Sequence, residues 1–87
     1  MTYVKGYSLV QKYLGVKEVE VSGVKNLKEL LSYLDKRYGL KIEFNNKIFY
    51  LMGKPITIFI NGREATDLEQ AVDNSDSVII FPVIDGG

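Results

Sequence analysis

One segment of this 87-residue chain has a clear helix pattern, and strand-like runs lie on both sides of it. Asn26 is a residue type that caps helices, Glu29 follows three positions later, and leucines recur at helical spacing up to Tyr38. Gly39 then supplies the left-handed residue that often ends a helix. We therefore predict one main helix over residues 27–38, and one helix can cover only one face of a sheet.

Short runs of alternating or β-branched residues predict the strands of that sheet. The expected elements are a strand at 2–10, a turn ending near Gly15, a strand at 17–21 paired with the first as a hairpin, a strand at 56–60, a turn at Asn61-Gly62, a return strand near 63–65, a helical turn at 68–72, a bend at 74–76 and a last strand at 77–82. Residues 40–54 fit a loop, a short strand or a helical turn equally well, so there we expect only a connection that covers one edge of the core. If the first and last strands lie side by side in the middle, the sheet is mixed.

The strands at 56–60 and 77–82 are apolar on both sides. Because a single helix covers one face, Phe59, Ile79 and Phe81 face outward unless residues 40–54 hide them. An exposed apolar patch beside the end of the chain would be a protein-docking surface. Coverage by residues 40–54 is the alternative, and the sequence favours neither.

Composition excludes most functions in which the chain acts alone. It has no cysteine and no histidine, so it offers no thiolate nucleophile, no thiolate zinc site and no imidazole for proton transfer. Its glycines are mostly spread singly and form no phosphate-binding loop. We expect no metal site and no bound cofactor. We interpret six carboxylates, most of which lie next to predicted turns or between polar neighbours, as solvated surface rather than as acid–base catalysts. They are Glu18, Glu20, Asp67, Glu69, Asp73 and Asp76.

Charge and hydropathy argue against two classes of partner. Eleven basic residues balance eleven acidic ones and form no dense basic run, so we do not expect the chain to bind nucleic acid. No stretch approaches the roughly 18 apolar residues of a membrane span, and the first residues lack the apolar centre of a signal peptide. We therefore expect a cytoplasmic protein without a membrane partner.

The last residues, Phe81-Pro82-Val83-Ile84-Asp85-Gly86-Gly87, lead from a strand-like run to two glycines. Glycine has no Cβ, so a narrow channel can close around it. The carboxylate of Gly87 is ionised at neutral pH and available to attack an activated phosphate. Since the chain offers no other plausible reactive group, we predict that this carboxylate is the functional site. A frayed tail is the alternative.

Several segments, taken in order, resemble the small subunit of molybdopterin synthase in the MoaD/ThiS family of sulfur carriers. Residues 7–15 look like its opening strand and turn, 26–31 like its helix start, 59–62 like its hairpin and 74–78 like its last turn, while 78–87 is the most specific match. The resemblance implies an α+β, ubiquitin-like β-grasp fold with a mixed sheet of four to five strands and one main helix on one face. It places the domain at residues 1–83 and a flexible Gly-Gly tail at 84–87.

The resemblance also implies a function. In this family an adenylating enzyme uses ATP to activate the terminal glycine carboxylate, and a sulfur donor converts it into a thiocarboxylate. In the molybdopterin branch the loaded tail enters the large subunit of the synthase and gives its sulfur to a cyclic pterin precursor. By this analogy Gly87 carries the sulfur and the preceding tail residues thread into the partner. The implied threading residues are Gly86, Asp85 and Ile84, and the implied docking residues are Phe81, Pro82 and Val83. Strand alternation adds Phe59 and Ile79 to the expected docking surface.

Other functions stay open. A protein modifier would form isopeptide bonds through Gly87, and a carrier for thiamine or for tRNA thiolation would pass its sulfur to another acceptor. A β-grasp interaction module would use only the apolar sheet face.

Five positions depart from the family pattern. Two of them are Gln11 and Lys12, which stand where an arginine and a glutamate are common. Val83 replaces the second proline usual in the molybdopterin branch, and Asp85 replaces a small residue and needs a basic or wet channel in the partner. Ser75 replaces a glycine, so we expect Asn74 to absorb the bend. These departures leave the fold expectation intact and weaken the choice of branch.

Overall fold

The structure is a computed structural model, and it describes residues 1–83. Its elements are β1 (Thr2–Gly6), α1 (Leu9–Leu14), β2 (Glu18–Val21), α2 (Leu27–Tyr38), β3 (Ile42–Asn45), β4 (Ile48–Leu51), β5 (Lys54–Ile60), β6 (Arg63–Glu64) and β7 (Ser77–Pro82). The strands form one sheet in the order β2-β1-β7-β5-β4-β3, and β6 pairs with β5 outside this path. β1 and β7 run parallel in the middle, and the other pairs described are antiparallel. The mixed sheet expected from the sequence is confirmed.

The main helix has the predicted bounds because its caps form as the sequence indicates. The side-chain oxygen of Asn26 accepts a hydrogen bond from the Glu29 N–H at 2.8 Å, and a Glu29 carboxylate oxygen accepts one from the Lys25 N–H at 2.8 Å. Gly39 has a φ of 72° and donates its N–H to the Asp35 carbonyl at 2.8 Å. The helix buries its leucine stripe, Leu27, Leu30, Leu31 and Leu34.

The core lies between α2 and one face of the sheet. The central strands contribute their alternate residues to it, namely Val4, Ile56, Ile58, Ile60, Val78 and Ile80. Ile58 and Ile80 are completely buried, and burial of each side chain stabilises the fold by about 1.5–3 kcal/mol. β7 is therefore held by packing as well as by hydrogen bonds on both of its edges.

The first strand is shorter than expected. Our prediction of a strand over residues 2–10 is wrong beyond Gly6, because α1 begins at Leu9 and buries Val10 and Leu14, one helical turn apart. A Cβ at Gly6 would lie 2.6 Å from Val10 Cγ1, so the absence of a side chain lets α1 fold back against the end of β1. A six-residue helix presents too few apolar positions to reveal its period.

Residues 40–54, left open by the sequence, contain a β-hairpin. The β3–β4 turn has positive φ at Asn46 and Lys47, 51° and 65°, and the β4–β5 turn has it at Met52 and Gly53, 53° and 78°. The described chain therefore has a seven-stranded sheet instead of the four to five strands expected. The hairpin adds Phe49 and Leu51 to the core rather than only covering its edge.

Two smaller predictions also need correction. The 68–72 segment begins with a reverse turn closed by the Gln70 N–H and the Asp67 carbonyl at 3.3 Å, and it contains no helical turn. At the bend before β7, Ser75 itself adopts the left-handed conformation with a φ of 74°, so Asn74 does not absorb the bend. Both corrections concern loops, where the local sequence allows several turn geometries.

Candidate functional site

β7 brings the chain to the candidate site along the middle of the sheet. Val78 and Ile80 point into the core and are completely buried. Val83, the first residue after the strand, still donates its N–H to the Pro55 carbonyl at 3.1 Å. The last described residue is thus attached to β5. The predicted tail over residues 84–87, with the site residues Ile84, Asp85, Gly86 and Gly87, lies outside the described residues and stays a prediction.

The structure brings most of the predicted docking residues together on the face of the sheet opposite α2, called here the open face. Phe59 and Ile79 are cross-strand partners, and Phe81 lies opposite Thr57. The rings of Phe59 and Phe81 stack with centroids 5.5 Å apart and planes 10° apart. Phe59, Ile79 and Phe81 are half-buried, and Val83 is 46% exposed. An apolar, partly exposed surface therefore adjoins the point where the tail begins.

Pro82 has a different position from its neighbours. It lies opposite Ile56, whose side chain belongs to the core, so the alternation of β7 places Pro82 on the α2 side of the sheet. The structure thus separates Pro82 from Phe81 and Ile79.

Residues 40–54 do not cover the open face. Their strands extend the sheet beyond β5, and register places Tyr50 opposite Pro55, on the same side as Phe59. α1 buries Val10 and Leu14 in the same core as α2, on the other side of the sheet. Within residues 1–83 the open face is therefore not covered by residues 40–54, and its use as a docking surface stays a prediction.

A depression of about 230 Å³ lies next to the start of the tail. Its lining includes Ile48, Pro55, Thr57 and Val83, together with the charged residues Lys47 and Glu64. Sequence reasoning missed Ile48 and Pro55 because it assigned no strand between the main helix and residue 56. The alternation of apolar Ile42 and Phe44 with polar Glu43 and Asn45 is the signal that could have revealed the hairpin.

The carboxylates of the turns have structural contacts. Asp76 accepts hydrogen bonds from Asn61 Nδ2 at 2.8 Å and from the Asp73 N–H at 2.7 Å. Asp67 accepts one from the Glu69 N–H at 3.0 Å. Residues 1–83, the described part of the chain, contain no group of three or more acidic, histidine or cysteine side chains arranged to hold a metal ion. These contacts stabilise turns and do not form an acid–base site.

In the same part of the chain, no helix has the length and apolar character needed to cross a membrane.

Comparisons with known proteins show the family. The sequence model of the ThiS family matches residues 8–87. Small archaeal modifier protein 1 from Methanosarcina acetivorans is 28% identical with a TM-score of 0.73, over 99% of this chain and 95% of that one. A chain of the BexX/CysO complex from Amycolatopsis orientalis is 21% identical with a TM-score of 0.76, over 100% of both chains. A putative molybdopterin converting factor, subunit 1, from Pyrococcus furiosus is 22% identical with a TM-score of 0.71, over 95% of this chain and 97% of that one. No curated protein sequence matches the chain.

These similarities confirm the ubiquitin-like β-grasp fold expected from the sequence, with one main helix on one face of a mixed sheet. The family match runs through β7 and includes the last two glycines. The chain therefore belongs to the ThiS family of ubiquitin-like sulfur carriers.

Proposed function

We propose that the chain carries sulfur as a thiocarboxylate at Gly87 and acts as the small subunit of a molybdopterin synthase. The observation that carries this proposal is the position of β7. The strand is packed in the middle of the sheet, and its end at Val83 is attached to Pro55 beside the open face. A partner that binds the open face therefore meets the start of the tail at a defined place, which favours productive orientation of the reacting group.

Loading of sulfur onto Gly87 requires two steps. A Gly87 carboxylate oxygen attacks the α-phosphorus of ATP and pyrophosphate leaves, which gives an acyl-adenylate. Hydrosulfide from a sulfur donor then attacks the carbonyl carbon, AMP leaves and a proton is released, which gives the thiocarboxylate. The chain contributes the carboxylate and its presentation, and since it has no histidine or cysteine, the partner enzymes supply the acid–base groups and the sulfur. Because loading uses ATP, we place it in the cytoplasm.

Delivery uses the same tail. The thiocarboxylate enters the large subunit of the synthase, where its sulfur attacks a carbon of the cyclic pterin phosphate precursor and the bond from that carbon to a phosphate oxygen breaks, which gives a thioester. Water then hydrolyses the thioester, which leaves the sulfur on the pterin and releases the Gly87 carboxylate and a proton. The structural likeness to a putative molybdopterin converting factor subunit is compatible with this branch. A carrier for thiamine or for tRNA thiolation would load in the same way and differ only in the acceptor.

A protein modifier is the second candidate. Small archaeal modifier protein 1 is 28% identical to this chain, compared with 22% for the converting factor subunit. In a modifier, the nitrogen of a target lysine attacks the activated carbonyl of Gly87, AMP leaves, and an isopeptide bond forms.

Intact mass spectrometry tests the proposal. After incubation with the adenylating enzyme, ATP and a sulfur donor, we expect a mass change equal to the exchange of one oxygen for one sulfur. Deletion of Gly87 should abolish it, whereas Ser22→Ala, an exposed substitution far from β7 in sequence, should leave it intact. Addition of the large subunit and the cyclic precursor should then consume the thiocarboxylate.

Other outcomes separate the alternatives. If the thiocarboxylate formed but the large subunit and the precursor did not consume it, the result would indicate a sulfur carrier for another pathway. Isopeptide-linked conjugates that require Gly87 would favour the modifier. Failure of the complete mixture to change the mass of the chain, with no conjugates formed, would contradict both candidates.

A further inference from the structure

We infer that the protein docking on the open face presents an apolar centre surrounded by basic side chains. The inference rests on the proposed function, because it describes the surface that the carrier meets when its tail is used. It follows from how the fold distributes charge around Phe59 and Phe81.

Register places two glutamates on the open face at the β2 edge. Glu18 lies opposite Lys5, and Glu20 lies opposite Tyr3. Lys5 in turn lies opposite Ile79, which belongs to the apolar centre. Directly opposed residues share one face of a sheet, so both glutamates lie on the same side as Ile79.

Two more glutamates lie on the other side of the apolar centre. Glu64 of β6 is opposite Phe59, and Glu43 of β3 is opposite Tyr50. All four glutamates are exposed. Together they form the acidic rim, defined as Glu18, Glu20, Glu43 and Glu64.

The acidic rim is only partly neutralised. Within residues 1–83 the one ion pair joins Lys5 Nζ and Glu18 Oε1 at 4.0 Å, and Lys5 is the one basic residue that the described strands place on this face. Lys47, in the β3–β4 turn, lines the depression beside Ile48. The three other rim glutamates have no ion-pair partner among residues 1–83.

This asymmetry is produced by the fold, since the whole chain has eleven basic and eleven acidic residues. α2, on the opposite side of the sheet, carries three basic residues, Lys28, Lys36 and Arg37, and two acidic ones, Glu29 and Asp35. A local excess of one sign attracts a surface of the other sign and raises the association rate. The open face is therefore suited to a basic partner although the net charge is zero.

The tail sequence gives an independent indication of the same sign. Asp85 is acidic, and the proposed reacting group of Gly87 is a carboxylate. A channel in the partner that accepts both carboxylates needs basic groups or water. Basic groups around the entrance of that channel would also complement the acidic rim. A second copy of this chain fits poorly, because two open faces in contact would bring their acidic rims together.

Loading kinetics test the inference with the adenylating enzyme as the probe. Glu20→Gln/Glu43→Gln removes two rim charges, and the matched control Glu69→Gln/Asp35→Asn makes the same change in net charge away from the open face. We expect the rim variant to raise the KM for the carrier by roughly three- to tenfold at low salt and to weaken its salt dependence, with kcat unchanged. The control should keep the KM of the unsubstituted chain. Equal KM values for the two variants would overturn the inference.

A second measurement does not depend on loading, so failure of the proposed function and failure of this inference are distinguishable. The probes are two synthetic peptides, one alternating leucine with arginine and the other alternating leucine with glutamate. In amide NMR spectra we expect the arginine peptide to shift β7, β5 and the rim, and Glu20→Gln/Glu43→Gln to weaken its binding. Equal binding of both peptides, or shifts confined to α2, would contradict a basic partner. If loading fails while the arginine peptide binds as expected, only the proposed function is lost.

Discussion

Phe59 and Phe81 stack on the open face with ring centroids 5.5 Å apart and planes 10° apart. They lie on neighbouring strands, and Phe81 is two residues before the end of the described chain at Val83. A stacked aromatic pair contributes about 0.5–1.5 kcal/mol beyond the burial of its area. The pair therefore stabilises the sheet and also provides a defined apolar surface near Val83, where the described chain ends.

Replacement of Phe81 by alanine should weaken docking more than it weakens folding. Because aromatic residues at the centre of an interface often contribute more than 1 kcal/mol to binding, we expect the KM for loading to rise by about tenfold. Phe44→Ala is the matched control, since Phe44 forms an aromatic pair with Phe49 at 4.6 Å on the α2 side of the sheet. Loading kinetics and urea unfolding should be measured on both variants. An equal rise in KM for both would argue against docking at the open face.

Gly6 and Val10 should be energetically coupled. A Cβ at Gly6 would approach Val10 Cγ1 to 2.6 Å, so Gly6→Ala should destabilise the fold by about 1–3 kcal/mol. In a Val10→Ala background the destabilisation caused by Gly6→Ala should fall by about 0.5 kcal/mol or more. Part of it should remain, because a Cβ at Gly6 would still lie 3.1 Å from Leu14 Cδ1. A double-mutant cycle by urea unfolding measures the coupling.

The control for this cycle is Gly23→Ala. Gly23 has a φ of 79°, and a Cβ there would have no atom within 4 Å apart from those of Gly23 and its two chain neighbours, so its substitution introduces backbone strain without a new contact. It should show no coupling to Val10→Ala. Additive free energies for Gly6 and Val10 would mean that the close approach does not constrain α1.

Ser75→Gly should stabilise the protein. Ser75 has a φ of 74°, a conformation that costs a residue with a side chain about 1 kcal/mol and that glycine adopts freely. We expect the free energy of unfolding to rise by roughly 0.5–1 kcal/mol in urea. Ser32→Gly, in the middle of α2, should instead lower it by about 0.5 kcal/mol. If both substitutions changed the free energy of unfolding in the same direction, the positive φ of Ser75 would not explain the effect of Ser75→Gly.

Asn26→Ala should destabilise α2 by about 1 kcal/mol, because the Glu29 N–H loses its acceptor at 2.8 Å. Asn26→Asp keeps an oxygen in that place and should retain most of the stability. Thermal unfolding followed by circular dichroism compares the two variants. If both lose the same stability, the cap does not act through this hydrogen bond.

The elements that sequence analysis predicted correctly are those whose signals are local. The cap at Asn26, the leucine stripe and Gly39 define α2 without reference to any other segment. The turn at Asn61-Gly62 also has the expected positive φ at both residues, 51° and 82°. In these cases the preference of a few neighbouring residues is enough to decide the backbone.

The β3–β4 hairpin shows why other elements were missed. Asn46-Lys47 and Met52-Gly53 adopt positive φ in their turns as Asn61-Gly62 does, yet lysine and methionine are not typical there. Pairing of β4 with β5 holds these turns in place. Likewise, α1 replaces the end of the predicted first strand because Val10 and Leu14 reach the core beside Gly6.

By itself the sequence determined the main helix, the last strand, the apolar character of both strand faces and the absence of cysteine and histidine. These properties depend on residue type and on short-range spacing. Only the tertiary structure decided that residues 40–54 extend the sheet, that the open face is uncovered within residues 1–83, and that four glutamates surround Phe59 and Phe81. The physical reason is that strand order and register bring together residues far apart in the chain, and a pattern read along one strand contains no information about its neighbours.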